Sequence, residues 1–327
     1  MNALAHPRVL VAGGTGHYGR YIVQSLLAQG VPVRVLTRNA GSARRLLGEA
    51  PELVEGDITD PPARRAALQG MDALVIAVSA MSPRLVRKTK EIEGDAVQAL
   101  LAEGAQQSVR RVVYLSVYEV KEEISERVDL ASGDAKVRVE RALARSGLSW
   151  TVLGCAPSMQ IFFAMIRGDT MMVPGGGPPA LPTISALDVG EIAAQATLRS
   201  DLSGRRFRLV GPEAIGFREA ARRISRVAGR PIGFRRIPLA LPLLVRGLVR
   251  PLTPLSDRLL YVYQMLGFVE LLNRFPPEIA SEAPQAHRLL LETFSYRPTT
   301  LEMEARRWLR GPGQGRDLAS TTTSSPA

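Results

Sequence analysis

Apolar and polar positions follow two different periods along the first half of the chain. Short continuous apolar runs stand at Arg8–Ala12, Val33–Leu36, Leu53–Glu55, Ala73–Val78, Arg111–Leu115 and Trp150–Leu153. Between them, apolar residues recur at helical spacing over His17–Gln29, Gly41–Leu47, Pro62–Leu68, Leu85–Glu103 and Ser132–Arg145. The first set predicts strands buried on both faces, the second amphipathic helices. Such strands belong to a parallel sheet covered on both sides by helices. The expected fold class is α/β, a doubly wound parallel sheet of the Rossmann type, with its ligand beyond the C-terminal strand ends.

After Pro157 the pattern changes. Met159–Ile166 is apolar and rich in Phe and Met, Pro174–Pro179 is a turn cluster, and Ala186–Leu198, Arg206–Val210 and Arg218–Val227 read helix, strand, helix. The expected organisation is a Rossmann core over 1–158, with 184–212 returning to it. A smaller, mostly helical substrate subdomain covers 159–183 and 213–310, and 311–327 is a disordered tail by composition. Residues 237–272 are rich in leucine and proline, with Arg246, Arg250 and Arg258 interrupting the apolar face. That composition admits an interfacial membrane helix. Pro238, Pro242, Pro251 and Pro254 break the run and favour helices packed over a substrate cleft.

Composition narrows the class. The chain has 327 residues, 46% apolar and 22% charged, as in soluble globular proteins. No apolar stretch reaches bilayer-spanning length and none leads the chain, so a cytoplasmic location is expected. The single cysteine, Cys155, excludes an intrachain disulfide, and no Cys/His spacing suggests a metal. The net charge is +11, and residues 201–310 carry 19 Arg against 10 acids. These arginines are scattered at helical spacing without a nucleic-acid-binding motif, so the expected partner is a small molecule and not a nucleic acid.

The chemistry begins at Gly13-Gly14-Thr15-Gly16-His17-Tyr18-Gly19, which contains G-x-G-x-x-G between the first strand and the first helix. The early glycines permit a tight turn, Gly16 admits a pyrophosphate against the backbone, and Gly19 lets helix and strand approach. The helix N-terminus adds its partial positive charge. His17 reads as a spacing residue within the turn. NAD-binding units end the second strand in an acid that bonds the ribose 2′-hydroxyl. Here that strand ends in Thr37-Arg38-Asn39, and a guanidinium suits a 2′-phosphate. The expected cofactor is NADP(H) in preference to NAD(H). Asp57 and Ile58 would flank the adenine, and Ala77, Val78 and Ser79 would line the cofactor.

The segments "VAGGTGHYG", "VRVLTRN", "VEGDITDP", "RVVYLSV", "AKVRVERALARSGLSWTVLGCAPSM" and "ISALDVGEIAAQAT" together resemble the NmrA-like group of atypical short-chain dehydrogenase/reductases. The resemblance runs from residue 8 to about 230. It implies either an NADPH-dependent reductase of a small planar apolar electrophile, such as a quinone or conjugated carbonyl, or a non-catalytic NADP(H) sensor or assembly factor. Ordinary short-chain reductases use Tyr-x-x-x-Lys, the lysine lowering the tyrosine pKa for proton transfer. None of Tyr18, Tyr21, Tyr114, Tyr118, Tyr261, Tyr263 and Tyr296 has Lys four residues later. Lys136 falls at the family's lysine position with Ser132 in place of the tyrosine, and "VLGCAPSM" lacks the Arg that often precedes the proline there.

The resemblance implies that Lys136 bonds the nicotinamide ribose or acts near the substrate; the alternative is a surface lysine facing Glu140. Ser116 resembles the catalytic serine position, with a strand-end hydrogen bond as its alternative, and Tyr118 is the nearby phenol that would replace the missing acid. Pro157 would touch the cofactor. Met81, Tyr118, Met159, Phe162 and Phe163 would line the substrate pocket, although core packing accounts for the apolar wall equally well.

Overall fold

The computed structural model describes residues 7–107, 109–119 and 131–311. The apolar runs form β1 (Val9–Ala12), β2 (Val33–Thr37), β3 (Glu52–Glu55), β4 (Ala73–Ile76), β5 (Arg111–Val117) and β6 (Ser149–Cys155). Short strands follow: β7 (Ile166–Arg167), β8 (Thr170–Pro174) and β9 (Leu181–Pro182). Then come β10 (Arg205–Leu209), β11 (Ala214–Ile215) and β12 (Gly233–Ile237). Seven strands pair in parallel in the order β10-β6-β5-β4-β1-β2-β3. β1, β4 and β5 are almost entirely buried, as the continuous apolar runs require. The chain reverses direction across the sheet between β1 and β4, and that is where a doubly wound fold opens a ligand crevice.

Each face of the sheet has its own core. On one side Ile22, Val23 and Leu26 pack with Val189, Ile192, Phe207 and Leu290. On the other, Ala67, Leu68, Leu100 and Leu101 pack with Leu143 and Val152. A third core, Phe162, Phe163, Met171, Phe217, Ile224 and Leu301 among others, sits in the C-terminal region. There the helices Phe217–Ala228, Ala240–Val249, Asp257–Asn273, Pro277–Thr293 and Leu301–Arg310 accompany the sheet β12-β8-β7. Among the described residues no helix is long and apolar enough to cross a membrane. The tail lies outside the described residues apart from Gly311.

One expected helix is not continuous. The stretch Leu85–Glu103 resolves into a 3₁₀ turn (Val86–Lys88), a π-helical turn (Lys90–Asp95) and an α-helix (Ala96–Gln106). A π turn carries one extra residue, which rotates side chains out of α register. Here it delivers the Glu93 carboxylate to the backbone N–H of Ala80 at 2.6 Å. The turn packs on the helix Ala131–Ala144 at Gly94, where a Cβ would lie 3.7 Å from Ala135 Cβ.

Candidate cofactor and active site

The glycines of the first turn do different jobs. Gly13 has φ +85°, and a Cβ on it would come within 2.6 Å of the Ala77 carbonyl oxygen. A Cβ on Gly14 would lie 2.8 Å from Val35 Cγ1, and one on Gly19 would overlap the Gly13 carbonyl. These three are demanded by the packing of the turn on β2, on the end of β4 and on the helix Gly19–Ala28. Gly16 differs: a Cβ there would meet only Gly13 O at 3.1 Å and Ala77 O at 3.8 Å. The Gly16 N–H donates to Gly13 O at 2.9 Å and closes the turn. A bare backbone thus faces the crevice at a helix N-terminus, which is the cradle a pyrophosphate needs.

The turn is tied to the exit of β6. His17 Nε2 lies 2.8 Å from Ser158 Oγ, and the Tyr18 hydroxyl donates to Ala156 O at 3.4 Å. Burial raises the Tyr18 pKa well above the usual tyrosine range. Ser158 Oγ also bonds Gln160 Oε1, Gln160 Nε2 reaches Glu304 Oε2 at 3.5 Å, and Ser185 Oγ donates to Glu304 Oε1. A polar chain therefore runs from the glycine turn to the last helix. Pro157 sits inside this junction, its carbonyl accepting from Ile184 N at 3.0 Å.

At the end of β2, Thr37 is buried, whereas Arg38 and Asn39 are exposed. Arg38 forms no ion pair among the described residues. Asn39 caps the helix Ala40–Leu47, its Oδ1 accepting from Ser42 N at 2.7 Å. An acid does reach this corner, but from β3: Glu55 Oε2 accepts from Ala40 N at 2.8 Å. After β3, Asp57 Oδ1 accepts from Thr59 N at 2.9 Å and Thr59 Oγ1 at 2.8 Å, and the carbonyl of Ile58 accepts from Arg64 at 2.8 Å. After β4, Ala77 N donates to Ala12 O at 2.9 Å, which joins the two strand ends. Ala77 and Val78 are half-buried, and Ser79 is exposed. Met81, also half-buried, donates its N–H to Ser79 Oγ at 3.3 Å.

Lys136 is not on the surface. Its Nζ lies 3.5 Å from Glu93 Oε2, in a pair whose side chains are 11% and 1% exposed. It also donates to Leu115 O at 3.4 Å and stands 5.5 Å from the centre of the Tyr114 ring. Burial disfavours the ammonium, but the adjacent Tyr114 oxygen and Glu93 carboxylate outweigh it and raise the pKa of Lys136. Burial also raises the Tyr114 phenol. Glu93 further accepts from Ser132 Oγ at 2.6 Å and from Ser79 Oγ at 3.5 Å. Ser132, four residues before Lys136, thus serves the carboxylate.

Glu140 is taken by a different cation. Arg206 Nε donates to Glu140 at 3.0 Å, and its Nη groups donate to Val117 O and Tyr118 O at 2.8 and 3.2 Å. A Cβ on Gly154 would lie 2.8 Å from the Val117 carbonyl oxygen that this guanidinium bonds, so the glycine of "VLGCAPSM" leaves room for the junction. Burial pushes the Cys155 thiol up to about 12, against the lowering effect of Lys136 and Arg206, so it stays protonated at neutral pH.

Ser116 is buried, and its Oγ has no hydrogen-bond partner among the described residues. Tyr118 is 4% exposed and packs in the core with Ala156, Phe207 and Leu209, with Arg208 over its ring at 5.9 Å. Burial raises its pKa. Met159 and Phe162 are at most 1% exposed. Phe162 meets Phe217 edge-on at 5.1 Å, and Phe163 stacks on Trp308 at 5.3 Å. These rings pack into the third core.

Three residues of this constellation escaped the sequence reading: Glu93, Ser158 and Arg206. For Glu93 a clue existed. Counting back in helical steps from Leu100 and Val97 places this acid on their apolar face. Ser158 and Arg206 carry no such mark, because their partners are 141 and 66 residues away.

Comparison with known proteins agrees with this geometry. Residues 13–198 match the NAD(P)H-binding family model. An NAD(P)H azoreductase of Xenophilus azovorans is 27% identical over 236 residues, 71% of this chain and 77% of that one. The photosystem II assembly factor Ycf39 of Synechocystis is 25% identical over 74% of each chain. The triphenylmethane reductase of Citrobacter, solved with NADP(H), superposes with a TM-score of 0.68 at 16% identity, over 92% of this chain and 99% of that one. The chain therefore belongs to the NAD(P)H-binding family and has the Rossmann fold.

Proposed function

We propose that this protein is an NADPH-dependent reductase of a small, planar, apolar electrophile such as a quinone, conjugated carbonyl or azo compound. The observation that carries the reading is the buried Lys136–Glu93 pair beside the crevice. Ser79 touches Glu93, and Leu115, at the C-terminal end of β5, touches Lys136. In this reading Gly13 to Gly19 hold the pyrophosphate, with Thr15, His17 and Tyr18 supplying the turn. Thr37, Arg38 and Asn39 hold the 2′-phosphate and select NADP(H) over NAD(H). Asp57 and Ile58 flank the adenine, and Ala77, Val78, Ser79 and Pro157 line the rest. The cofactor, when bound, supplies the hydride.

The chain's own residues position the acceptor and answer its charge. The acceptor atom that gains electron density, an oxygen of a quinone or carbonyl or a nitrogen of an azo group, is stabilised by a fixed cation held away from water. Lys136 is that cation: Glu93 keeps its proton on Nζ, so it acts as an ammonium and not as a base. Ser116 offers a hydroxyl with no competing partner nearby. Glu93 is a positioning residue that acts through Lys136. Residues 1–158 with 184–212 form the cofactor domain, and 159–183 with 213–310 form the substrate subdomain. Met81, half-buried, faces the apolar side, and Tyr118, Met159, Phe162 and Phe163 back it from the core. A cytoplasmic location accompanies this reading.

The test is NADPH oxidation by the purified protein against quinones, enones and azo dyes. Turnover of one class, lowered strongly by Lys136→Met with NADPH affinity retained, is the expected result. Tight NADPH binding with no oxidation across the panel sinks it. That outcome would support the second reading, a sensor or assembly factor. The second reading draws on Ser132, which replaces the usual proton donor and is hydrogen-bonded to Glu93.

A further inference from the structure

The helix Ala240–Val249 and the 3₁₀ segment Arg250–Leu255 carry an apolar stripe that none of the described residues covers. Leu241, Leu244, Leu248, Leu252 and Leu255 are 55, 61, 64, 43 and 78% exposed, and Val245 is 38% exposed. At about 100° per residue, Leu241, Leu244, Val245 and Leu248 fall within an arc of roughly 100°. Pro242 is buried on the flank of the stripe, and on the far side the Arg246 side chain turns inward to Glu270 at 2.6 Å. A monomer gains nothing by leaving such a stripe in water.

The charge around the stripe is one-sided. Between Glu219 and Asp257 the chain carries eight arginines and no acid. Arg226, Arg235, Arg236 and Arg250 are exposed and form no ion pair among the described residues. Arg235 and Arg236 precede the stripe on β12, Arg250 lies within it and Arg258 follows it. Asp257, the acid at its end, is occupied by Arg87 at 2.6 Å. Leucines on one face with arginines around them form the pattern of a helix that lies in the plane of an anionic membrane surface.

We propose that this face docks on an anionic lipid bilayer, with the leucines at the boundary between headgroups and acyl chains and the arginines against lipid phosphates. The position fits the rest of the molecule. Arg87 also donates to Thr253 O at 3.0 Å, so the stripe is fastened to the segment Val86–Lys88, which follows the crevice residues Ala77 to Ser79. Docking would bring the crevice rim to the layer where apolar substrates dissolve. The docking claim itself does not depend on catalysis.

The test is flotation of the full chain with vesicles of phosphatidylcholine alone or with about one-third phosphatidylglycerol, at low and high salt. The expected result is binding to the anionic vesicles that weakens with salt. Each of Arg235→Glu and Arg236→Glu should lower affinity by at least about fivefold. Leu244→Glu with Leu248→Glu should lower it at least about tenfold, while thermal stability and NADPH affinity stay at wild-type values. Absence of binding to anionic vesicles at low salt overturns the proposal. So does binding that the leucine double variant leaves intact. Sedimentation velocity covers the rival occupant: a dimer abolished by the same double variant, without vesicle binding, would assign the stripe to a second copy of the chain.

Discussion

Glu93 holds Lys136 from inside the protein: the two meet at 3.5 Å, and the carboxylate is 1% exposed. The pair joins a π-helical turn to the helix that follows β5, and it closes over Ser132, Ser79 and Ala80 N–H. Breaking a buried pair leaves the other charge uncompensated, whereas replacing both partners by neutral groups is far milder.

Glu93→Gln should therefore destabilise the fold by about 2 to 4 kcal/mol, with Lys136 left nearly buried and alone. Lys136→Met combined with Glu93→Gln should recover at least about 1 kcal/mol of this in a double-mutant cycle. Urea unfolding of the four proteins measures it. Additive losses would show that the two side chains do not act as a unit.

Arg38 sits exposed at the end of β2 with no acidic partner among the described residues. Arg38→Ala should weaken NADPH binding about 10- to 150-fold, nearer the lower value for a solvated contact, and leave NADH almost unchanged. Raised salt should shrink the difference. Calorimetry with both cofactors decides; equal losses for NADPH and NADH would remove the 2′-phosphate assignment.

The glycines of the turn should separate by variant. Gly16→Val places its methyls toward the crevice and should cost NADPH affinity at least about 100-fold while the fold survives. Gly19→Ala overlaps the Gly13 carbonyl and should lower the melting temperature as well as cofactor affinity. Thermal unfolding without cofactor gives the contrast: a larger drop for Gly16→Val than for Gly19→Ala would contradict the division of roles.

Asp188 should impose a pH signature. It accepts from Thr299 N at 3.0 Å and from Thr299 Oγ1 at 2.5 Å, and so fastens the approach to the last helix. Burial, against these hydrogen bonds, raises its pKa from 3.8 to about 6. The folded state thus holds the proton more tightly than the unfolded chain. Between pH ~4 and ~6 the Asp188 contribution to stability should fall by about 2 to 3 kcal/mol as pH rises, then level off. The wild-type unfolding free energy minus that of Asp188→Asn should trace this decline. A flat difference over that window would place the Asp188 pKa near its ordinary value.

The sequence by itself determined the frame. Strands of four to seven residues, apolar on both faces, can be satisfied only inside a covered sheet, so their spacing specified a doubly wound fold before any contact was known. The glycine turn was legible in the same way, as a glycine-rich link between strand and helix, but only Gly19 is demanded from within the turn; Gly13 and Gly14 are demanded by Ala77 and Val35, which strand pairing brings alongside.

Contacts between distant segments were decided by tertiary structure. Thr37 and Glu55 become neighbours through strand pairing, so an acid reaches the corner where β2 itself has none. Lys136 faced Glu140 in sequence, at one helical turn, but folding gives Glu140 to Arg206 and Lys136 to Glu93. Helical spacing marks Glu93 as inward-facing, but which cation meets it depends on how the helix Ala131–Ala144 packs on the π turn. The leucine stripe shows the same limit: hydrophobic spacing marks an apolar face, yet whether that face meets a core or stays open depends on which elements reach it. At Leu244 and Leu248 none does, because the helix Ala240–Val249 packs through its other side on Asp257–Asn273.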